Sequence, residues 1–425
     1  MSVSASHLHS LGDFVRASPS SFHVVAGVAR SLTAAGFTEL QESEDWTDVT
    51  GRCFVVRDGA IIAWVRQESA TGTTPFRIIG THTDSPGFTL KPKPTVGSHG
   101  WLQAGVELYG GPLVNSWLDR ELELAGRLVF DDGSTALVRT GPFLRIPQLA
   151  IHLDRGVNGE GLKLDPQQHL TPVFGVGNPA DTDVVAHLAE LAGRAGATVV
   201  GYDVVVADTA APAVFGLGGR LFASGRLDNL SSVHAGLAAL LALPKRVDGD
   251  TPVFAAFDHE EVGSETRSGA SGPFLASVLE RIAGDASASD RARALASSWC
   301  LSADAGHAVH PNYAERHDPA NRPIVNGGPL LKINANQRYA TDALGAAEWA
   351  RACAQAGVPF QEFVSNNSVP CGSTIGPLTA TRLGIRTIDV GIALLSMHSA
   401  RELCGADDPW MLSEAMGAFL SPVAS

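Results

Sequence analysis

Nowhere in its 425 residues does the chain offer the roughly 18 consecutive apolar residues that a membrane-spanning helix needs. Its opening stretch, MSVSASHLHSLGDFVRAS, has neither the basic nor the apolar segment of a secretory leader. A cytoplasmic location with no membrane partner is therefore expected. Cysteine is scarce as well: Cys53, Cys300, Cys353, Cys371 and Cys404 are odd in number, scattered and never in a C-x-x-C pair. That pattern argues against a disulfide framework and a thiolate zinc site, and fits reduced thiols. Any metal then has to be held by histidine and carboxylate. There is also no run of Lys and Arg, and the formal net charge is −13. No nucleic-acid partner is expected, because binding phosphate requires a basic surface.

What the chain does have is apolar residues, 44% of the total, enough for a large core. At about 150 residues per domain, its length suggests two or three domains. The stretch SSFHVVAGVARSLTAAGF has helical apolar spacing and a Gly stop, and the strand-like RCFVVRDGAIIAWVRQ after it turns at Asp58-Gly59. A short buried strand, FRIIGTHTDSPG, then runs straight into polar residues. From 95 to 207 the pattern is one of short strands and turns, a β-rich insert. After it, strands and helices alternate through PVFAAFDHEE, a helix near 273–282, SWCLSADAGH, GPLLKINAN, a helix stopped by Gly357, and IRTIDVGIALL, an α/β pattern. The small-residue-rich segment 285–298 reads as a mobile surface piece.

Polar residues collect where the apolar segments end. His82 and Asp84 follow FRIIGT, Asp228 lies in SGRLDN, Glu260 and Glu261 follow PVFAAFDH, Asp304 follows SWCLSA, and His398 follows IDVGIALLSM. Taken singly, each reads as a turn, a cap or solvated surface. Open α/β sheets bind ligands outside the carboxyl ends of their strands, so these positions could converge. Two histidines and several carboxylates without thiolate suit a pair of divalent ions of the zinc or manganese type. In extended backbone Glu260 and Glu261 point to opposite sides and can serve a metal and a proton separately, while Asp84 shares the side of His82 and can orient its imidazole.

Eight segments in fixed order, GTHTDSPGFTLKPKP, YGGPLVNSWLDRELELAGR, SGRLDNL, FDHEEVGS, ADAGHAVHPNY, LKINANQRYATD, PCGSTIGP and SMHSARE, together resemble the aspartyl aminopeptidases of the M18 metallopeptidase family. The resemblance implies two divalent metal ions, zinc first, with cobalt or manganese as alternatives. It implies that Asp228 bridges them, that His82 and Asp304 complete one site and Glu261 and His398 the other, and that Glu260 is the general base. It places a pocket for an acidic N-terminal side chain among His307, Lys332 and Tyr339, and a carbonyl-binding role for His152 in the site of a neighbouring subunit. Dimers built through the insert and assembled into a dodecamer also follow from it.

Alternatives remain at this level. Lys332 could be a structural lysine paired with an acidic neighbour, and His152 could bond a carbonyl inside the insert, with His169 competing for its role. The expected fold is α/β: a three-layer zinc-exopeptidase-type catalytic domain of residues 1–94 and 208–425, interrupted by a β-rich dimerisation domain at 95–207. The expected activity is metal-dependent release of N-terminal Asp or Glu from peptides. A two-metal aminopeptidase or amide hydrolase of neutral specificity, or a non-catalytic assembly protein of the same fold, are the alternatives. The last would predict a missing ligand or a missing Glu260, and all six ligand and base positions are present.

Overall fold

A computed structural model of the chain describes residues 2–46, 49–244 and 249–423. Its centre is a nine-stranded mixed sheet, in the order Thr38–Glu39, Gly51–Arg57, Ala60–Arg66, Thr251–Phe257, Phe76–His82, Trp299–Ala303, Arg386–Gly391, Leu330–Lys332 and Gln361–Phe363. The four strands from Thr251–Phe257 to Arg386–Gly391 run parallel. Side chains alternate across a sheet, and this sequence places apolar residues on both faces. Phe54, Ile61, Ala63 and Ile79 enter one core, and Val55, Ile62, Trp64 and Ile78 enter the other.

Helices cover each face, which makes three layers. Val3–Ala17, Ser21–Ala34, Leu227–Ala242, Ala343–Ala356 and Asp408–Leu420 pack on the first core, and Phe274–Ala283 and Ile375–Leu383 on the second. Two elements differ from expectation. The helix Val3–Ala17 precedes the first one expected, with Ser2 capping it and Leu8, Leu11 and Val15 buried at helical spacing. Segment 285–298, expected to be mobile, contains the helix Ala288–Ser297, capped by Ser287 and anchored by buried Ala294. Small residues there lower the apolar signal without preventing a capped helix.

A second sheet, of six antiparallel strands, is formed between Gly87 and Asp208 around its own core. Its strand Gly87–Ser98 begins only five residues after His82 ends the central strand. A third, five-stranded sheet joins Leu221–Ser224 to Glu402–Gly405, with Ser224 opposite Glu402. Among the described residues, no helix is long and apolar enough to cross a membrane.

The helix Leu227–Ala242 lies close to the sheet at Gly236, where an added Cβ would stand 2.9 Å from Phe254 and 3.0 Å from Ile79. Replacing Gly236 with Val should therefore lower unfolding stability by roughly 1–3 kcal/mol, even though Gly is a poor helix former. Urea denaturation measures this, and unchanged stability would show that the helix can move off the sheet at no cost.

Candidate metal centre

Because the central strands are parallel, their carboxyl ends lie along one edge, and the polar residues after them meet there. His82 ends the strand Phe76–His82 and is buried. Its Nδ1 lies 3.1 Å from the backbone oxygen of Asp84 and 3.3 Å from Asp84 Oδ1. Donation from Nδ1 to that carbonyl leaves Nε2 facing the centre, 3.4 Å from Asp228 Oδ1, 3.5 Å from Asp304 Oδ1 and 4.0 Å from Glu260 Oε2. His398 repeats the arrangement. Its Nδ1 donates to the Gly111 carbonyl at 2.9 Å, and its Nε2 stands 3.3 Å from Asp228 Oδ2 and 3.4 Å from Glu261 Oε2. Each Asp228 oxygen thus faces a different imidazole.

Three sets of donors lie within 4.8 Å of one another: His82, Asp228 and Asp304; Asp228, Glu261 and His398; and His82, Glu260 and Glu261. Among the described residues, no group donates a hydrogen bond to the buried Asp228 Oδ1. A buried carboxylate oxygen without a donor is costly unless a cation stands beside it. With both imidazoles turned by carbonyls to present Nε2, this donor set fits divalent ions of the zinc type.

The two glutamates are not in extended backbone. His259 takes a left-handed conformation, φ 63°, and Glu260–Val262 forms one 3₁₀ turn. Neighbours on such a turn diverge by about 120°, so the side chains still separate, for a different reason from the one expected. Asp84 fixes this turn. Its Oδ1 accepts the Glu260 N–H and its Oδ2 the Glu261 N–H, both at 3.1 Å, while Tyr109 donates its hydroxyl to Oδ2 at 2.7 Å.

Asp304 follows the strand Trp299–Ala303, and Lys332 stands behind it. The Lys332 ammonium donates to Asp304 O at 3.0 Å, Asp304 Oδ2 at 3.2 Å and Ala305 O at 3.0 Å. An ammonium has three hydrogens, and all three are engaged. The Lys332 ammonium is thus committed to Asp304 and Ala305, the arrangement expected of a lysine paired with an acidic neighbour. Tyr339 packs over it, with the ring centroid 4.8 Å from Nζ. Beyond lies a cavity of about 240 Å³ whose lining includes His307, Arg316, His317, Tyr339, Phe363 and Asn366.

His152 is exposed and takes part in none of the hydrogen bonds or ion pairs of the centre. His169 accepts the Asp165 N–H at 2.9 Å on Nδ1, a local turn contact. Sequence reasoning missed Tyr109, Arg316 and Glu402, which lie outside the apolar-strand-then-polar pattern that flagged the others.

The electrostatics reflect crowding of carboxylates away from water. Burial raises Glu260 to about 8, with Asp304, Asp228 and Asp84 adding to it. Glu261 is lifted well above the usual carboxylate range by burial and by Asp228. Burial lowers His398, but Asp228 more than reverses this and brings it to about 9. His82 is likewise raised, against its burial, by Asp228, Asp304 and Asp84. Without a cation the centre therefore gathers protons.

With this geometry in view, comparison with known proteins is decisive. The family model described as Aminopeptidase I zinc metalloprotease (M18) matches residues 14–420. The chain belongs to the M18 peptidase family. It is 56% identical over 423 residues to a probable M18 family aminopeptidase 2 of Streptomyces coelicolor, covering 98% of each chain. It is 46% identical over 429 residues to the protein of that name in Mycobacterium tuberculosis, again with 98% of each covered. Among solved structures, a chain from the Ape4 and Nbr1 complex matches with a TM-score of 0.93 at 35% identity, over 98% of this chain and 86% of that one. The S. cerevisiae mApe1 dodecamer matches at 0.86 and 28% identity, over 98% and 96%. As an M18 protein the chain is a metal-dependent aminopeptidase of α/β fold.

The proton-gathering centre has a measurable consequence. Folded, Glu260 keeps its proton to about 8 against an ordinary 4.5, and His398 to about 9 against 6.5. At these two groups the folded state binds more protons than the unfolded one. Burial lowers His7, His23 and His234, which act in the opposite sense only below the ordinary histidine value, so the metal-free protein should lose thermal stability as pH rises from about 7 to about 9. Added divalent cation should flatten that slope. Melting with and without chelator tests it, and metal-free stability that increases over this range would contradict it.

Proposed function

We propose that this aminopeptidase removes N-terminal Asp or Glu from peptides at a centre of two divalent ions. His82 and Asp304 would hold one ion, Glu261 and His398 the other, and Asp228 both. The supporting observation is that each Asp228 oxygen faces its own imidazole. Zinc suits this imidazole and carboxylate set, with cobalt or manganese as alternatives. Bound there, the ions would supply Lewis acidity to a water and to the scissile carbonyl.

The chain's own part is proton transfer, positioning and selection. Glu260 faces His82 at the edge of the centre and is the general base. It takes a proton from the attacking water as the oxygen adds to the carbonyl carbon, and returns it to the amine nitrogen as the C–N bond breaks. Positive charge at the centre offsets the repulsion from Asp304, Asp228 and Asp84, so that Glu260 is ionised when it acts.

Selection of an acidic side chain rests on the cavity lined by His307 and Tyr339, the latter packed over Lys332. The lining includes the Arg316 guanidinium, which on its exposed side pairs with Glu315 at 3.8 Å, and no carboxylate among the described residues; burial holds His307 and His317 below the ordinary histidine range, so they serve as neutral hydrogen-bonding walls. A guanidinium favours a carboxylate and repels a basic side chain. Since Lys332 is committed to Asp304, Arg316 is the available guanidinium, with His307 and Tyr339 as walls.

The 95–207 insert is proposed to form dimers, and these a larger homo-oligomer like the relative solved as a dodecamer. His152 stands between exposed Ile151 and Leu153 and makes no side-chain hydrogen bond among the described residues. It is the candidate to reach the substrate carbonyl of a second subunit. Action in the cytoplasm on peptides, without membrane or nucleic acid, completes the reading.

Glu260→Gln keeps the size of the side chain and removes its proton affinity. It should leave metal content intact while lowering turnover at least about a hundredfold. Near-normal turnover in the metal-loaded variant, established by elemental analysis and kinetics, would reject the base.

Arg316→Met should weaken cleavage of N-terminal Asp and Glu by about 10–100-fold relative to neutral residues, the worth of one charge-assisted hydrogen bond. Lys332→Met should instead depress cleavage of acidic and neutral peptides alike, because it frees Asp304. Equal losses on both peptide classes in Arg316→Met would favour a neutral-specificity enzyme.

A further inference from the structure

Glu402 opens the strand Glu402–Gly405 and is buried, yet among the described residues its carboxylate makes no salt bridge. Its two oxygens are used on two different loops. Oε2 accepts the backbone N–H of Asp228 at 3.0 Å, and Oε1 accepts the backbone N–H of His398 at 2.8 Å. These residues also meet directly in the ion pair between His398 Nε2 and Asp228 Oδ2, 3.3 Å apart.

Both loops need such a hold. Asp228 follows left-handed Arg226, φ 57°, and its own φ −82° and ψ 102° lie outside the helix that follows. His398 is left-handed, φ 64°, two residues after left-handed Ser396, φ 57°. A non-glycine residue in that left-handed region is strained and persists only where its surroundings impose it. Around His398 the hold is complete: Leu113 N–H bonds its carbonyl at 2.8 Å, Gly111 O accepts from Nδ1, and Glu402 takes its N–H.

We propose that Glu402 is the positioning residue that sets the distance between Asp228 and His398, and so tunes one of the two metal sites selectively. The inference rests on the two-ion reading above. Glu402 grips the main chain of two of the three donors in the Asp228, Glu261, His398 set, but only Asp228 in the His82, Asp228, Asp304 set. His82 and Asp304 are held separately, by Asp84 and Lys332. Disturbing Glu402 should therefore loosen the His398 site and largely spare the other.

The test is Glu402→Gln in the full chain. The amide keeps the volume but sets an NH₂ against one of the two N–H donors, so one bond is lost and two donors are opposed. Zinc is titrated into metal-free wild type and variant against a chromophoric chelator, and cobalt absorption and metal-free melting are measured in parallel. Wild type should bind two ions, and failure to do so would reject the two-ion reading itself. In the variant one ion should bind as in wild type and the other at least about tenfold more weakly, the range for loss of an outer partner of a ligand. Its cobalt spectrum should change for the weakened ion only. Two sites of wild-type affinity, or equal weakening of both, would overturn the proposal. A purely structural role would lower metal-free and metal-loaded melting by the same amount and leave affinity unmoved, which also overturns it. If Glu402→Gln does not fold, Glu402→Asp, which retains the carboxyl group but is too short to reach both N–H groups, is titrated in the same way. The same split is expected, and failure of both variants to fold would assign Glu402 to the fold alone.

Discussion

Mutual repulsion among buried carboxylates is the constraint on which this structure turns. Asp84, Asp228, Glu260, Glu261 and Asp304 converge at one sheet edge, where each unscreened pair at contact distance costs about 4 kcal/mol at a protein-like dielectric. Each carboxylate must be given donors or cations that hold it against the others. Asp84 takes two backbone N–H groups and a phenol, Asp304 takes the Lys332 ammonium, and Asp228 stands between two imidazoles. What remains unbalanced, chiefly Asp228 Oδ1 and the raised Glu260 and Glu261, is what a cation would neutralise.

The antiparallel sheet takes part in this balance. Tyr109 and Gly111, at and just past the end of its strand Trp101–Tyr109, supply the hydroxyl that holds Asp84 and the carbonyl that turns His398. A rotation of one sheet against the other would shift both contacts, so the geometry of the centre depends on how the two sheets dock. Family membership places an aminopeptidase on this scaffold. The distribution of charge around the neighbouring cavity is what argues for acidic side chains.

Lys332 shows how burial separates two readings of one residue. A lysine in an LKIN motif is equally compatible with binding a substrate anion and with bracing a ligand. Its commitment to Asp304 and Ala305 is the reason Arg316, an exposed residue ending the short 3₁₀ turn Ala314–Arg316, is proposed for the first role instead.

The sequence by itself determined the layers and the edge at which the chemistry gathers. Apolar runs such as FRIIGT and PVFAAF with polar exits define buried parallel strands, and parallel strands bring their exits to one side. The small-residue helix Ala288–Ser297 and the first helix were not legible, because capping and packing formed them where the apolar signal was weak. Tertiary structure alone decided the turn that parts Glu260 from Glu261, the engagement of Lys332, and the pairing of Glu402 with Asp228 and His398. Those depend on contacts between residues up to 177 positions apart, as between Asp84 and Glu261, and no local pattern records which distant backbone group a buried side chain will find.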